Sequence, residues 1–221
     1  MNNPYFDLLM RARGPGFDIA LTIFVAGILI RILEILVLGR KKDFAKPKGS
    51  PVGQGVKTVF SRSFPRKGLV KFAPITYIGG YIFHIGFLIA FFLFAPHIAL
   101  IDSLIGINYP GVGRVIIESA TALALLAIIA LIWSRSTDPV RRALTSWQDY
   151  LVLILSALPL ITGYVAVNKL FGDGTLMLAL HLLSVELLMV AFPFTKLTHA
   201  FTFVLARYYN GTIQGRKGAE T

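Results

Sequence analysis

The sequence predicts an all-α membrane protein, a five-span transmembrane helical bundle. Of its 221 residues, 55% are hydrophobic and 15% charged, against roughly a quarter charged in a soluble domain. Mean hydropathy is +0.70. The apolar residues fall into runs of about 20, the length an α-helix needs to cross a bilayer. This balance excludes a disordered chain, and there is more apolar surface than one soluble core could bury.

The first span is expected over about 17–39, closing against Arg40-Lys41-Lys42. Met1 to Gly16 is short and polar and lacks a signal-peptide pattern, so the span serves as its own insertion signal. A basic cytoplasmic loop, 40–72, follows, rich in Lys, Pro, Gly and Ser. It reads as a solvated positive loop or as a docking surface for a cytoplasmic subunit. The second span is expected over about 73–100 with Pro96 near its outer end, the third over 112–133 and the fourth over 147–167. The fifth, 175–207, is longer than a bilayer requires, and Pro193 is expected to kink it. No repeat or second domain is evident, so residues 1–221 read as one compact bundle.

The net charge of +11 follows this topology rather than a nucleic-acid partner. Of the 22 Lys and Arg, ten lie between Arg40 and Lys71, three between Arg135 and Arg142, and three from Arg207 onward. All sixteen fall on one side of a five-span chain, while Arg11, Arg13 and Lys169 fall on the other, with Arg114 at a helix mouth. Positive residues stay inside, which places the amino terminus outside and the carboxyl terminus in the cytoplasm. Anionic lipid or an acidic partner suits the excess charge. With no cysteine, the chain has no disulfides and no thiolates of its own for an iron–sulfur cluster.

The four histidines, His84, His97, His181 and His199, all fall within or at the ends of the second and fifth spans. A membrane histidine is costly and usually functional, although each could singly be a hydrogen-bonded packing residue. Antiparallel spans would level His84 with His199 and His97 with His181, the arrangement two bis-histidine haems stacked across a bilayer require. His181 and His199 are 18 residues apart, about five turns, and so share a helix face. His84 and His97 are 13 apart, about 140° around a straight helix, and Pro96 would have to re-aim His97. Gly79, Gly80 and Gly86 near His84 leave room for a flat macrocycle, or for plain helix packing. Lys196 and Arg207 could pair with haem propionates or lipid phosphates.

Phe83-His84-Ile85-Gly86, Leu180-His181-Leu182 and Phe192-Pro193-Phe194-Thr195-Lys196-Leu197-Thr198-His199 resemble the cytochrome b (gamma) subunit of respiratory nitrate reductase. The likeness covers most of the membrane region and is weak in the first, third and fourth spans. It implies five spans in the plasma (inner) membrane of a prokaryote and haem b, two copies or one. The implied partners are menaquinone or ubiquinone in the membrane and a cytoplasmic iron–sulfur subunit. His84 and His199 match the ligands of the inner haem, and His181 one ligand of the outer. The family's other outer ligand falls where this chain has Phe94, so either His97 replaces it or the outer haem is absent. Related cytochromes serve heterodisulfide reductase-like and sulfur-metabolism complexes, so nitrate does not follow.

A quinone site needs a polar group that exchanges protons. Arg114 and Glu118, one turn apart, are candidates, or form a plain surface ion pair. Glu186, about a turn after His181, would be costly at that depth as an unpaired carboxylate. Arg31 and Glu34 could pair, and Asp149 suits the start of the fourth span. The chain would do no bond chemistry beyond the quinone redox step. A haem-free anchor and a small proton-coupled transporter are the competing readings, and neither would be coloured.

Overall fold

The computed structural model describes residues 3–38, 44–65 and 68–219, and all regular structure among them is helical. Five helices are long and apolar enough to cross a membrane: Phe6–Val37, Ile75–Phe92, Arg114–Thr137, Trp147–Asn168 and Gly174–Phe194. Their outward faces are apolar, with Leu126 and Ile129 more than half exposed, as suits a lipid-facing surface. Where the sequence suggested one bundle, packing divides the chain into two compact units. One is Met1–Leu21 with Ala73–Met189; the other is Thr22–Phe72 with Val190–Thr221.

The first span starts earlier than expected. Helix α1 (Phe6–Arg11) continues through a π turn (Ala12–Gly16) into α2 (Phe17–Val37). The wider π turn accommodates Pro15, which has no N–H to give. In the second unit, Phe24, Gly27 and Arg31 form one face of α2. Phe24 packs edge-on to Phe192 and Phe201 at 5.3 and 6.0 Å between ring centroids. A Cβ on Gly27 would stand 2.5 Å from the Pro193 ring, so only glycine admits this seat. Arg31 Nε donates to the Pro193 carbonyl at 3.0 Å while its guanidinium pairs with Glu34 at 2.8 Å.

Part of the loop expected over 40–72 is helical. Ser50 caps α3 (Pro51–Ser61) by accepting from the Gly53 N–H, with Pro51 at a position where its missing N–H costs nothing. Residues 39–43, which include Arg40-Lys41-Lys42, and Arg66-Lys67 lie outside the described residues. A short helix α4 (Leu69–Phe72) leads to a π turn (Ile75–Gly79) and α5 (Gly80–Phe92).

The second span was expected as one helix over 73–100, and the structure divides it. Helix α5 ends at Phe92, Phe94 is extended (φ −83°, ψ 124°), and α6 (Ala95–Ile105) starts anew with Pro96 in its first turn. A continuous helix would drive the Pro96 ring into the Phe92 carbonyl, four residues back. Helix α7 (Arg114–Thr137) packs on α5 through small residues. Ala124 is fully buried and joins Ala90, Ile128 and Leu160 in the core, with Phe83 and Phe87 against them.

Asp138 caps α8 (Pro139–Leu144) by accepting from the Arg141 N–H at 2.9 Å. A Ser146/Asp149 capping box opens α9 (Trp147–Asn168). Before α10 (Gly174–Ala191), the Asp173 carboxylate accepts from the Thr175 N–H at 2.6 Å and from the Asn3 amide at 2.6 Å. Desolvation works against its ionisation, but the hydrogen bonds from Thr175, Asn3 and Leu176 outweigh it and hold the carboxyl below the usual range.

The fifth span, expected as one helix over 175–207, is also divided. After Ala191 come a 3-10 turn (Phe192–Phe194), an extended Thr195 (φ −124°, ψ 177°), a second 3-10 turn (Lys196–Thr198) and α11 (His199–Lys217). Within the second unit α11 packs on α3 at glycine range. A Cβ on Gly211 would meet Thr58 Oγ1 at 2.5 Å, and one on Gly55 the Tyr208 ring at 2.8 Å.

The tightest contact in the first unit is testable. A Cβ at Gly86 would lie 2.6 Å from the Ala120 carbonyl oxygen and 3.0 Å from Ala124 Cβ. Backbone cannot yield as a side chain does, so Gly86→Ala should lower stability by about 1–3 kcal/mol, read as an earlier loss of helicity on heating in detergent.

Candidate functional site

Breaking a helix inside an apolar medium frees carbonyls that no water can satisfy. The α5 break can be accounted for carbonyl by carbonyl. The Ile89 carbonyl accepts from the Leu93 N–H, and that of Leu93 from the Val112 N–H, both at 3.0 Å. The Phe92 carbonyl, displaced by Pro96, accepts from the Tyr109 hydroxyl at 2.8 Å. His97 Nδ1 closes the remaining two, lying 3.1 Å from the Ala90 and 3.2 Å from the Phe91 carbonyl oxygen. Carbonyls only accept, so Nδ1 carries the proton and Nε2 the lone pair.

The same break brings His97 beside His181. Their ring centroids are 6.1 Å apart and their planes 16° from parallel. The 140° phase difference between His84 and His97 applies only to a straight helix, and here the phase is reset between Phe92 and Ala95. Phe94 stands edge-on to His97 at 5.3 Å between centroids, as a wall of the site. His181 lies against Gly163, where a Cβ would come within 3.0 Å of its ring. Its Nδ1 is 3.2 Å from Thr162 Oγ1. That hydroxyl also lies 2.7 Å from the Leu158 carbonyl oxygen and 2.9 Å from Ser184 Oγ, so it ties His181 to α9.

The other two histidines repeat this arrangement, His84 in the first unit and His199 in the second. His84 Nδ1 lies 2.7 Å from the Gly80 carbonyl oxygen, and His199 Nδ1 2.7 Å from that of Lys196, which also accepts from the His199 backbone N–H. Both are exposed on otherwise apolar helix surfaces. In His84, His97 and His199 a backbone carbonyl, which only accepts, sets the proton on Nδ1, as outer-shell acceptors do for metal-bound histidine.

Among the described residues no group of three or more His, Cys, Asp or Glu converges to cage a metal ion. Haem would take imidazole ligands from the protein, and His97 and His181, stacked near-parallel at 6.1 Å between ring centroids, are the two that this unit brings together. That donor type suits haem.

The remaining candidates are placed differently. Arg114 pairs with Glu118 at 2.5 Å and donates to the Asn168 side chain at 2.9 Å, tying the start of α7 to the end of α9. Arg207 donates to Ser63 Oγ at 2.8 Å and lies over the Phe203 ring, fastening α11 to the residues after α3. Lys196 occupies the second 3-10 turn of the fifth-span break. Glu186 Oε1 is buried with no hydrogen-bond partner. Sequence reasoning passed over Tyr109 as a carbonyl partner and over Thr162-Gly163 as the seat of His181. Each acts on another helix, so no local spacing marks it.

No family model matches the chain. A curated protein of Nitratidesulfovibrio vulgaris, whose description is simply "Protein", is 28% identical over 134 residues, 61% of this chain and 59% of that protein. The chain therefore spans about three-fifths of the curated relative it matches.

Tyr109→Phe removes one donor and leaves the Phe92 carbonyl unpaired. The expected cost is about 1–3 kcal/mol, seen as a lower melting temperature in detergent with helix content before melting unchanged.

Proposed function

We propose that this chain is a membrane cytochrome b subunit that carries electrons between the quinone pool and a cytoplasmic iron–sulfur protein. The observation that carries the reading is the pairing of His97 and His181. Their rings stack near-parallel at 6.1 Å between centroids, and His97 gives its Nδ1 proton to the Ala90 and Phe91 carbonyls, which leaves Nε2 as its basic nitrogen.

On this reading His97 and His181 hold the outer haem, and His84 and His199, on the motif resemblance, the inner one. When bound, haem supplies reversible one-electron exchange at iron. The chain's own residues would orient the ligands. Phe91 and Phe94 flank His97 and exclude water. Menaquinone or ubiquinone is the membrane substrate, with Glu186 as proton-exchanging group and the Arg114–Glu118 pair near its mouth. We place the amino terminus outside and the carboxyl terminus inside a prokaryotic plasma membrane, on the distribution of Lys and Arg.

The test is the haem-to-protein ratio of purified wild type and His97→Ala, by pyridine haemochrome. Two haems falling to one is the expected result. One haem in both would remove His97 from the ligand set, and a colourless, well-folded wild type would overturn the cytochrome reading.

A further inference from the structure

Glu186 is half-buried and carries a buried oxygen that the account of the histidines does not use. Its Oε1 is shielded from solvent and has no hydrogen-bond partner, and none of the ion pairs among the described residues includes it. An isolated carboxylate in an apolar segment is costly enough that the group takes a proton instead.

What faces it is the π turn of the first span. A Cβ on Gly16 would lie 2.9 Å from Glu186 Oε2, 3.1 Å from Oε1 and 3.0 Å from the Arg11 carbonyl oxygen. The carboxyl and this carbonyl thus border the same small space, which stays open only because residue 16 has no side chain. Pro15 offers no N–H to Arg11, four residues back, and the turn widens to the π spacing. The carbonyl oxygen has two lone pairs and only accepts. An ionised carboxylate against it would be repelled, whereas a carboxylic acid can donate to it. The charged neighbours on the first span, Asp7, Arg11, Arg13 and Asp18, are all exposed, and His181 lies five residues back on the same helix.

We infer that the Arg11–Gly16 turn and Glu186 form a proton-holding site, in which the carboxyl is kept as the neutral acid against the Arg11 carbonyl and Gly16 is the positioning residue. The proton-holding state stands on this geometry alone; its use in proton exchange with a quinone rests on the function proposed above.

Infrared spectroscopy of the full chain in lipid at neutral pH tests it, because the acid C=O stretch stands clear of the amide bands. The expected result is an acid band in wild type that is lost in Glu186→Gln. It should shift in Gly16→Ala, where the added Cβ displaces the carboxyl. No acid band lost in Glu186→Gln would show an ionised carboxylate and overturn the inference. A band lost in Glu186→Gln but unmoved in a folded Gly16→Ala would remove the π turn from the site. Should Gly16→Ala fail to fold, Glu186→Asp replaces it: a shorter acid that cannot reach the carbonyl should raise the stretch, and an unchanged frequency overturns the assignment. The readout needs no haem, so colourless protein that shows the band would overturn the cytochrome reading and leave this site standing.

Discussion

The structure depends on satisfying backbone carbonyls where helices break in an apolar environment. Water is absent there, so each freed carbonyl must find a donor within the chain. Two of the spans drawn from the sequence break, after Phe92 and after Ala191, at the ends of the helices long enough to cross a membrane, and each break lies near a proline. At the first, the donors are the Leu93 and Val112 N–H groups, the Tyr109 hydroxyl and His97 Nδ1. At the second, Arg31 serves the Pro193 carbonyl, and His199 that of Lys196. A histidine closes part of both.

That structural duty and the proposed ligand duty are complementary. An imidazole that donates from Nδ1 is thereby set in the tautomer that binds metal through Nε2. The break also has a positional effect. On a straight helix His97 would point well away from the face of His84, whereas restarting the helix at Ala95 turns it back onto the end of α5 and alongside His181. One proline thus ends a helix, creates the need for a donor and places the donor where it can act as a ligand. The π turns before α2 and α5 are gentler forms of the same device. They widen the helix without cutting it, and one of them opens the space that Glu186 borders.

Helix number, rough span positions and the grouping of the histidines were legible in the sequence, because run length and hydropathy are local quantities. Pro96 was readable as a break or kink, and the break that results, with Phe94 extended, is held by Tyr109 and Val112 from the loop after α6. The fifth span was drawn over 175–207 with a kink at Pro193, and the structure divides it there into separate helices. The extended Thr195 is stabilised by tertiary contacts, among them Arg31 and Gly27 against Pro193. The first span was drawn from Phe17 because Met1 to Gly16 is polar, whereas a π turn lets the helix begin at Phe6. Phe94 left open whether His97 replaces the family's outer ligand or that haem is absent, and the folded chain sets His97 beside His181. The partner of Gly16 could not be read at all, since it lies 170 residues away.

The central claim is that the imidazoles set by these backbone contacts serve as axial ligands. Near-infrared magnetic circular dichroism of the oxidised, purified chain reads axial ligation directly from the charge-transfer band of low-spin ferric haem. The account predicts a band at the energy of bis-imidazole coordination, with no contribution from water or thioether ligands. Haem bound with any other axial pair, or no low-spin haem at all, would contradict it.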